Sequence, residues 1–241
     1  MTKPRIGLFQ AGSYDRGFIA AHGTPGDWFK TFLNRASNGR LSYRVYCAFD
    51  GELPDNVSAC DAYLITGSSE TVLDRADWMV KLAQFCIRAM ENRPVVGICF
   101  GHQLLCQEMG GDVSVAPQGW GVGVHSYQVF SQANWMDPPL PVVSMLTSHM
   151  DQVTTLPPGS EVLAGNEFCP YAILRLAPNA ITIQSHPEAT RACFSSVYNI
   201  RRQLYAEGQA DQAIASLKQP THDEEVGRWI VRFIEDRLPK Y

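Results

Sequence analysis

Apolar residues along this chain recur with two periods, and the two alternate. Short runs of strand character lie at Arg5 to Phe9, Leu41 to Phe49, Asp61 to Ser68 and Val95 to Ile98; in the second, Tyr43, Val45 and Cys47 alternate with Ser42, Arg44 and Tyr46. Between the first two, Trp28, Phe29, Phe32 and Leu33 recur at helical spacing, with Asp27 as the expected N-cap and Asn38-Gly39 as the stop. A glycine-containing loop is expected from Gln10 to Pro25. A second helix from about Arg75 to Met90 carries Met79, Leu82, Ala83, Cys86, Ile87 and Met90 on one stripe, and a third leaves the fourth strand through Leu104, Leu105 and Met109. Strands alternating with helices in this order predict a doubly wound parallel sheet.

From Asp112 the texture changes. Val122 to Phe130, Val142 to Leu146, Glu161 to Ala164, Tyr171 to Leu176 and Ala180 to Gln184 are short and β-rich, with Asp137-Pro138-Pro139 and Pro157-Pro158-Gly159 as turn signals. They predict an antiparallel addition to the sheet. Helical stretches are expected around Ala189 to Glu207 and Gln209 to Leu217. A last helix opens at Thr221-His222-Asp223-Glu224, read as a capping box, and carries Val226, Trp229, Ile230, Phe233 and Ile234 as one apolar stripe. With no repeat, low-complexity tract or linker, residues 1–241 are expected to form a single α/β domain: a mainly parallel sheet, flanking helices and an antiparallel β extension.

Composition narrows the function classes. Twenty basic residues against 24 acidic give a net charge of −4, so there is no basic face for nucleic acid and no polybasic membrane patch. No apolar stretch approaches the roughly 20 residues that span a bilayer, and the N-terminus lacks a signal-peptide core. The seven cysteines, at 47, 60, 86, 99, 106, 169 and 193, form no framework and no C-x-x-C or Cys/His cluster of zinc spacing. Reduced thiols in a cytoplasmic protein are expected, with neither metal nor organic cofactor.

One cysteine differs from the rest. Gly97-Ile98-Cys99-Phe100-Gly101 places Cys99 between two glycines at the junction of an apolar run and a helix. Glycines are needed where strand and helix crowd together at a nucleophile elbow. The position is the C-terminal end of a parallel strand, where open α/β sheets place their sites, and a helix N-terminus favours thiolate. Ile181-Thr182-Ile183-Gln184-Ser185-His186-Pro187-Glu188 supplies the candidate base: His186 follows a β-branched run, and Glu188 can hold the other imidazole nitrogen. Both depend on that strand lying beside the elbow strand.

Gly-Ile-Cys-Phe-Gly-His-Gln (97–103), Ser-His-Pro-Glu (185–188) and Thr-Ser-His-Met-Asp-Gln-Val (147–153) together resemble the class I, triad-type glutamine amidotransferases. The nearest pattern is that of stand-alone members similar to the glutaminase domain of GMP synthase. The resemblance implies that Cys99 attacks a γ-glutamyl amide to give a thioester, with His186 as acid and base and Glu188 orienting it. It implies an oxyanion hole from the backbone N–H groups of Phe100 and of a residue near Gly67, and contacts to the substrate's amino-acid end from Gln103 and from the backbone around Ser148 and His149.

Alternatives stand at the secondary positions. Gln103 also fits an exposed polar place on its helix, the Ser148-His149 segment an ordinary strand-edge loop, and Asp151 a loop cap. Gln118-Gly119-Trp120-Gly121 is either a structural turn or a loop that approaches the substrate. Where many relatives carry Gly-Gly-Pro or Gly-Pro-Gly, this chain has Thr66-Gly67-Ser68-Ser69-Glu70, leaving open which residue supplies the second donor. No phosphate-cradling loop and no second catalytic region follow Glu188. Three settings therefore remain: a glutaminase passing ammonia to a separate synthase subunit, a self-sufficient γ-glutamyl hydrolase or peptidase, and a non-catalytic scaffold that keeps the fold. Glutamine or a γ-glutamyl small molecule is the expected partner in the first two.

Overall fold

The computed structural model describes residues 3–238. Its centre is a nine-stranded sheet. Strands β1 (Arg5–Gln10), β2 (Ser42–Cys47), β3 (Ala62–Ile65) and β4 (Val95–Ile98) alternate with helices α2 (Pro25–Ser37), α3 (Asp77–Ala89) and α4 (Phe100–Glu108), with a short α1 (Arg16–His22) ahead of α2. Next come β5 (Asp112–Val115), β6 (Gly121–Val129), β7 (Val142–His149), β8 (Asp151–Thr155), β9 (Glu161–Gly165), β10 (Ile173–Ala177) and β11 (Ala180–Ile183). Helices α5 (Arg191–Ile200), α6 (Gln209–Ser216) and α7 (Asp223–Glu235) close the chain. The spatial order is β2-β1-β3-β4-β11-β10-β9-β6-β7, while β5 and β8 form a separate two-stranded ribbon.

Alternation along each parallel strand divides the core into two layers. Ile6, Leu8, Leu64, Val96, Ile98 and Ile181 face one side, where α2 and α7 bury Phe29, Phe32, Trp229 and Phe233 against them. Phe9, Tyr63, Ile65 and Val95 face the other, covered by Leu82, Phe85 and Cys86 of α3 and Leu104 and Leu105 of α4. Gly227 lets α7 approach α2: a Cβ there would lie 3.0 Å from Ala36 Cβ and 3.1 Å from the Phe32 ring. A third cluster joins Phe18 of α1 to Phe194, Val197 and Tyr198 of α5, at the end of the sheet where β4 and β11 terminate.

Several local expectations are corrected. The Gln10 to Pro25 segment is not all loop, since Asp15 accepts from the Gly17 and Phe18 amides and starts α1. Thr24, rather than Asp27, is the N-cap of α2; Asp27 is the return partner of a capping box, with Pro25 at the first helical position. The box expected at Thr221 does not form: His222 is the N-cap with no side-chain bond, and the Thr221 hydroxyl donates to Asp223. The helix expected to reach Glu207 ends at Ile200. The run at Ala180 to Gln184 belongs to the parallel set, because β11 pairs parallel with β4, Ile183 opposite Ile98, while β6, β7, β9 and β10 form the antiparallel part.

Candidate active site

The elbow is a strained turn. Cys99 has φ 50° and ψ −100° between the last residue of β4 and the first of α4, a conformation that costs a non-glycine residue about 1–3 kcal/mol. The flanking glycines are required by proximity. A Cβ on Gly97 would lie 2.6 Å from the Gly101 carbonyl oxygen, and one on Gly101 would lie 2.7 Å from Ile65 Cβ. Helix α4 is thereby pressed against β3 and β4, and the thiol stands at its N-terminus. The Cys99 amide donates to Ile183 O at 2.8 Å, tying the elbow to β11.

That tie delivers the histidine. Three residues beyond β11, the His186 amide donates to Leu146 O of β7 at 2.8 Å, and its ring meets Phe194 edge-on at 5.1 Å. Its Nδ1–H donates to Glu188 Oε1 at 2.8 Å, and the Glu188 side chain is 1% exposed. The other ring nitrogen remains for Cys99, whose Cβ and the His186 ring lie against the same face of Gly67. Burial alone disfavours the imidazolium. The Cys99 thiolate and the Glu188 carboxylate outweigh it and raise His186 from its ordinary 6.5 to about 10.

The predicted oxyanion donors lie around this pair. A Cβ built on Gly67 would lie 2.6 Å from His186 Cε1 and 3.6 Å from Cys99 Cβ, so the turn after β3 passes against both side chains. Thr66 holds that turn by accepting from the Ala11 amide and donating to Gly67 O, while the Ser68 hydroxyl donates to Ala11 O. Phe100 is the first residue of α4, and its ring stacks on Trp78 at 5.5 Å. Among the described residues, the amides of Gly67 and Phe100 donate to no backbone acceptor outside the regular elements.

Two cavities meet here. A cleft of about 320 Å³ is lined by Cys99, Phe100, Gln103, Ser148, His149 and Arg201, among others. A chamber of about 20 Å³ lies on the far side, against His186 and Glu188, beneath Tyr14, Trp28 and Phe194. Ser68, Ser148 and Arg201 line both. The tyrosine is held neutral: burial, partly offset by Arg201, pushes Tyr14 up to about 12.

The secondary positions resolve differently. Gln103 is buried, not exposed; its Nε2 donates to Asp151 O at 2.6 Å and to Gln184 Oε1 at 3.2 Å. Ser148 lies in the cleft wall with its hydroxyl 3.4 Å from Arg201 Nη1. His149 is buried against Phe168, with Nδ1 3.1 Å from Asp151 O, and burial pushes it down to about 3. His102, next to Gln103 in the first motif, is fully buried on Thr182 and likewise held near 3 by burial, so it ties α4 to β11. The Asp151 carboxylate accepts from the Thr71 hydroxyl. The Gln118 to Gly121 turn enters the cleft through Trp120. Sequence reasoning did not single out Gln184, whose Nε2 lies 3.7 Å from Cys99 Sγ, or Arg201, which lies on no motif.

Among the described residues, no group of three or more His, Cys, Asp or Glu is arranged to hold a metal ion, and no helix is long and apolar enough to cross a membrane.

The chain is 26% identical over 232 residues to gamma-glutamyl peptidase 3 of Arabidopsis thaliana, covering 92% of both chains. It is 31% identical over 135 residues to the glutamine-hydrolyzing GMP synthase of Aromatoleum aromaticum, which is 53% of this chain and 25% of that one. Among solved structures, a glutamine amidotransferase from Methylobacillus flagellatus superposes with a TM-score of 0.74 at 20% identity, over 100% of this chain and 97% of the other. The model of the class-I glutamine amidotransferase family matches residues 44–200, nearly two thirds of the chain and spanning Cys99, His186 and Glu188, and the chain belongs to that family.

Proposed function

We propose that this protein is a hydrolase of γ-glutamyl amide bonds that works through a Cys99 thioester. The Cys99 thiolate attacks the γ-carbonyl carbon. The C–N bond breaks, and the His186 imidazolium gives its proton to the departing ammonia or amine. Water, deprotonated by His186, then attacks the thioester carbonyl; the C–S bond breaks, glutamate leaves, and Cys99 thiolate faces the reprotonated His186 again. Glu188 fixes the imidazole tautomer throughout. The N–H groups of Phe100 and Gly67 receive the negative charge of the tetrahedral intermediate, each worth about 3 kcal/mol in the transition state. Gln103, Ser148 and the backbone at His149 hold the amino-acid end. The observation that carries the reading is geometric: the strained Cys99 turn and the His186 ring, held by the buried Glu188 carboxylate at 2.8 Å, lie against the same Gly67 turn.

Self-sufficient hydrolysis of γ-glutamyl peptides is the setting supported best. The relatives matched over nine tenths of both lengths bear the name γ-glutamyl peptidase. The chain's seven free cysteines suit a reducing compartment such as the cytoplasm. A glutaminase that feeds a separate synthase is the second reading, favoured by the identity to part of a GMP synthase. Incubating the purified chain with glutamine and with γ-glutamyl dipeptides, and following ammonia and free glutamate, separates them. Hydroxylamine should trap a γ-glutamyl hydroxamate, and Cys99→Ala should form none. Peptide turnover faster than glutamine turnover supports the first setting, and activity that appears only with an added synthase supports the second. Absence of hydroxamate with every compound would remove the thioester mechanism.

A further inference from the structure

The cleft contains a cation that the proposed chemistry does not use. Arg201 caps the C-terminus of α5, and none of the ion pairs formed among the described residues includes it. Its guanidinium lies 5.9 Å from the centre of the Trp120 ring, and Nη1 is 3.4 Å from Ser148 Oγ. The platform beneath it is built: Trp120 packs edge-on against Tyr205 at 5.3 Å, and Gln209 Nε2 donates to Trp120 O at 2.7 Å. A half-buried guanidinium fixed on an indole face keeps most of its donors free for a planar anion.

The hydrogen-bond inventory assigns that anion. A γ-glutamyl substrate presents an α-ammonium and an α-carboxylate at the end remote from the scissile bond. Gln103, a buried polar side chain of the cleft, already donates to Asp151 O and Gln184 Oε1, so only its Oε1 acceptor is left for a ligand. An acceptor suits the ammonium and cannot hold the carboxylate. The Glu70 and Asp151 carboxylates line the same cleft and add negative charge for the ammonium. Arg201 supplies the complementary positive wall. The cleft of about 320 Å³, lined by Cys99, Gln103 and Arg201 together, accommodates a glutamyl chain between the thiol and the guanidinium.

We propose that Arg201, seated on Trp120, binds the α-carboxylate of the γ-glutamyl group and restricts substrates to those in which that carboxylate is free. This rests on the γ-glutamyl hydrolase reading, and the test separates the two. The probes are γ-glutamylglycinamide, whose leaving group carries no carboxylate, and the same compound with its α-carboxylate converted to the carboxamide.

In wild type, kcat/KM for the α-carboxylate compound should exceed that for the carboxamide by about 10- to 100-fold, as charge-assisted hydrogen bonds imply. Arg201→Gln should remove that preference through KM, lowering kcat/KM for the α-carboxylate compound far more than for the carboxamide, and Arg201→Lys should recover part of it. Binding of both compounds to Cys99→Ala protein, with and without Arg201→Gln, reports the same preference without catalysis. A preference that survives Arg201→Gln, or an equal loss on both compounds, overturns the proposal. Arg201-dependent binding in Cys99→Ala, with no turnover in wild type, would keep it and reject the hydrolase reading instead.

Discussion

Gly67 has no side chain because the His186 imidazole passes where one would be: a Cβ would lie 2.6 Å from Cε1. The turn after β3 and the histidine after β11 are therefore fitted to each other across β4, and the space between them is where a carbonyl oxygen must enter.

Gly67→Ala should consequently reduce turnover far more than stability. The clash is with a side chain that can move, and moving it by about 1 Å costs on the order of 100-fold in rate. Gly97→Ala differs in kind. Its Cβ would lie 2.6 Å from a backbone oxygen of α4, so the helix itself must shift, at about 1–3 kcal/mol of stability. Kinetics and urea denaturation of the two variants, side by side, test this. Equal losses of stability would contradict the assignment of Gly67 to the site.

The protonation of His186 gives a second test. Its folded-state value of about 10 exceeds the ordinary 6.5, so its contribution to stability is complete below about 6.5 and is lost as pH rises toward 10. Burial opposes the imidazolium, and Cys99 is the largest influence that favours it. In Cys99→Ala the midpoint of the imidazole C–H resonance should fall well below 10, narrowing the window over which stability depends on pH. In wild type, kcat/KM should hold through neutral pH and decline on the alkaline side as the imidazolium is lost. An unmoved midpoint in Cys99→Ala would show that the thiolate does not hold the proton on His186.

The legible parts of this site were those with local chemistry. Two glycines around Cys99, and a β-branched run ending in His-Pro-Glu, are constraints that neighbouring residues impose on each other, and the structure brings them together through one parallel pairing, β11 on β4. Other parts had no local signature. The side of the sheet on which Ala180–Ile183 pairs depends on topology, not on its apolar run. Helix α1 hides in a glycine-bearing segment because it is seven residues long and has one buried residue, Phe18. The ribbon of Asp112–Val115 with Asp151–Thr155 is too short and too exposed on one face to show a period. Arg201 and Gln184 acquire meaning only from what lies across the cleft.

Gln184 illustrates the last point and gives a third test. It is fully buried one residue past β11, accepts from Gln103 Nε2, and directs its own Nε2 toward Cys99 Sγ at 3.7 Å. A donor at that place stabilises the thiolate and fixes its direction. Gln184→Met, of similar length without a donor, should slow alkylation of Cys99 by iodoacetamide about fivefold, the equivalent of roughly 1 kcal/mol for one hydrogen bond. Gln184→Glu, which sets a carboxylate beside the thiolate, should slow it further. Mass spectrometry of the alkylated protein gives the rate, and unchanged rates in both variants would exclude the contact.

The cover over the His186 chamber gives the fourth. Tyr14, just ahead of α1, stacks on Phe18 of α1 at 4.3 Å, and Phe18 packs near Trp28 of α2 at 6.2 Å. So short a helix is marginal without tertiary support. Besides Phe18, it depends on Asp15, whose carboxylate accepts from Gly17 N at 2.8 Å and Phe18 N at 3.1 Å. Asp15→Ala should cost about 1 kcal/mol locally, seen as roughly fivefold faster hydrogen exchange of the Gly23 amide, which donates to Ile19 O. Global stability should change little, because the nine-stranded sheet does not rest on this segment. If the chamber limits the size of the departing amine, the same variant should gain activity on bulky γ-glutamyl anilides relative to glutamine. Faster exchange with an unaltered preference would place α1 outside the control of leaving-group size.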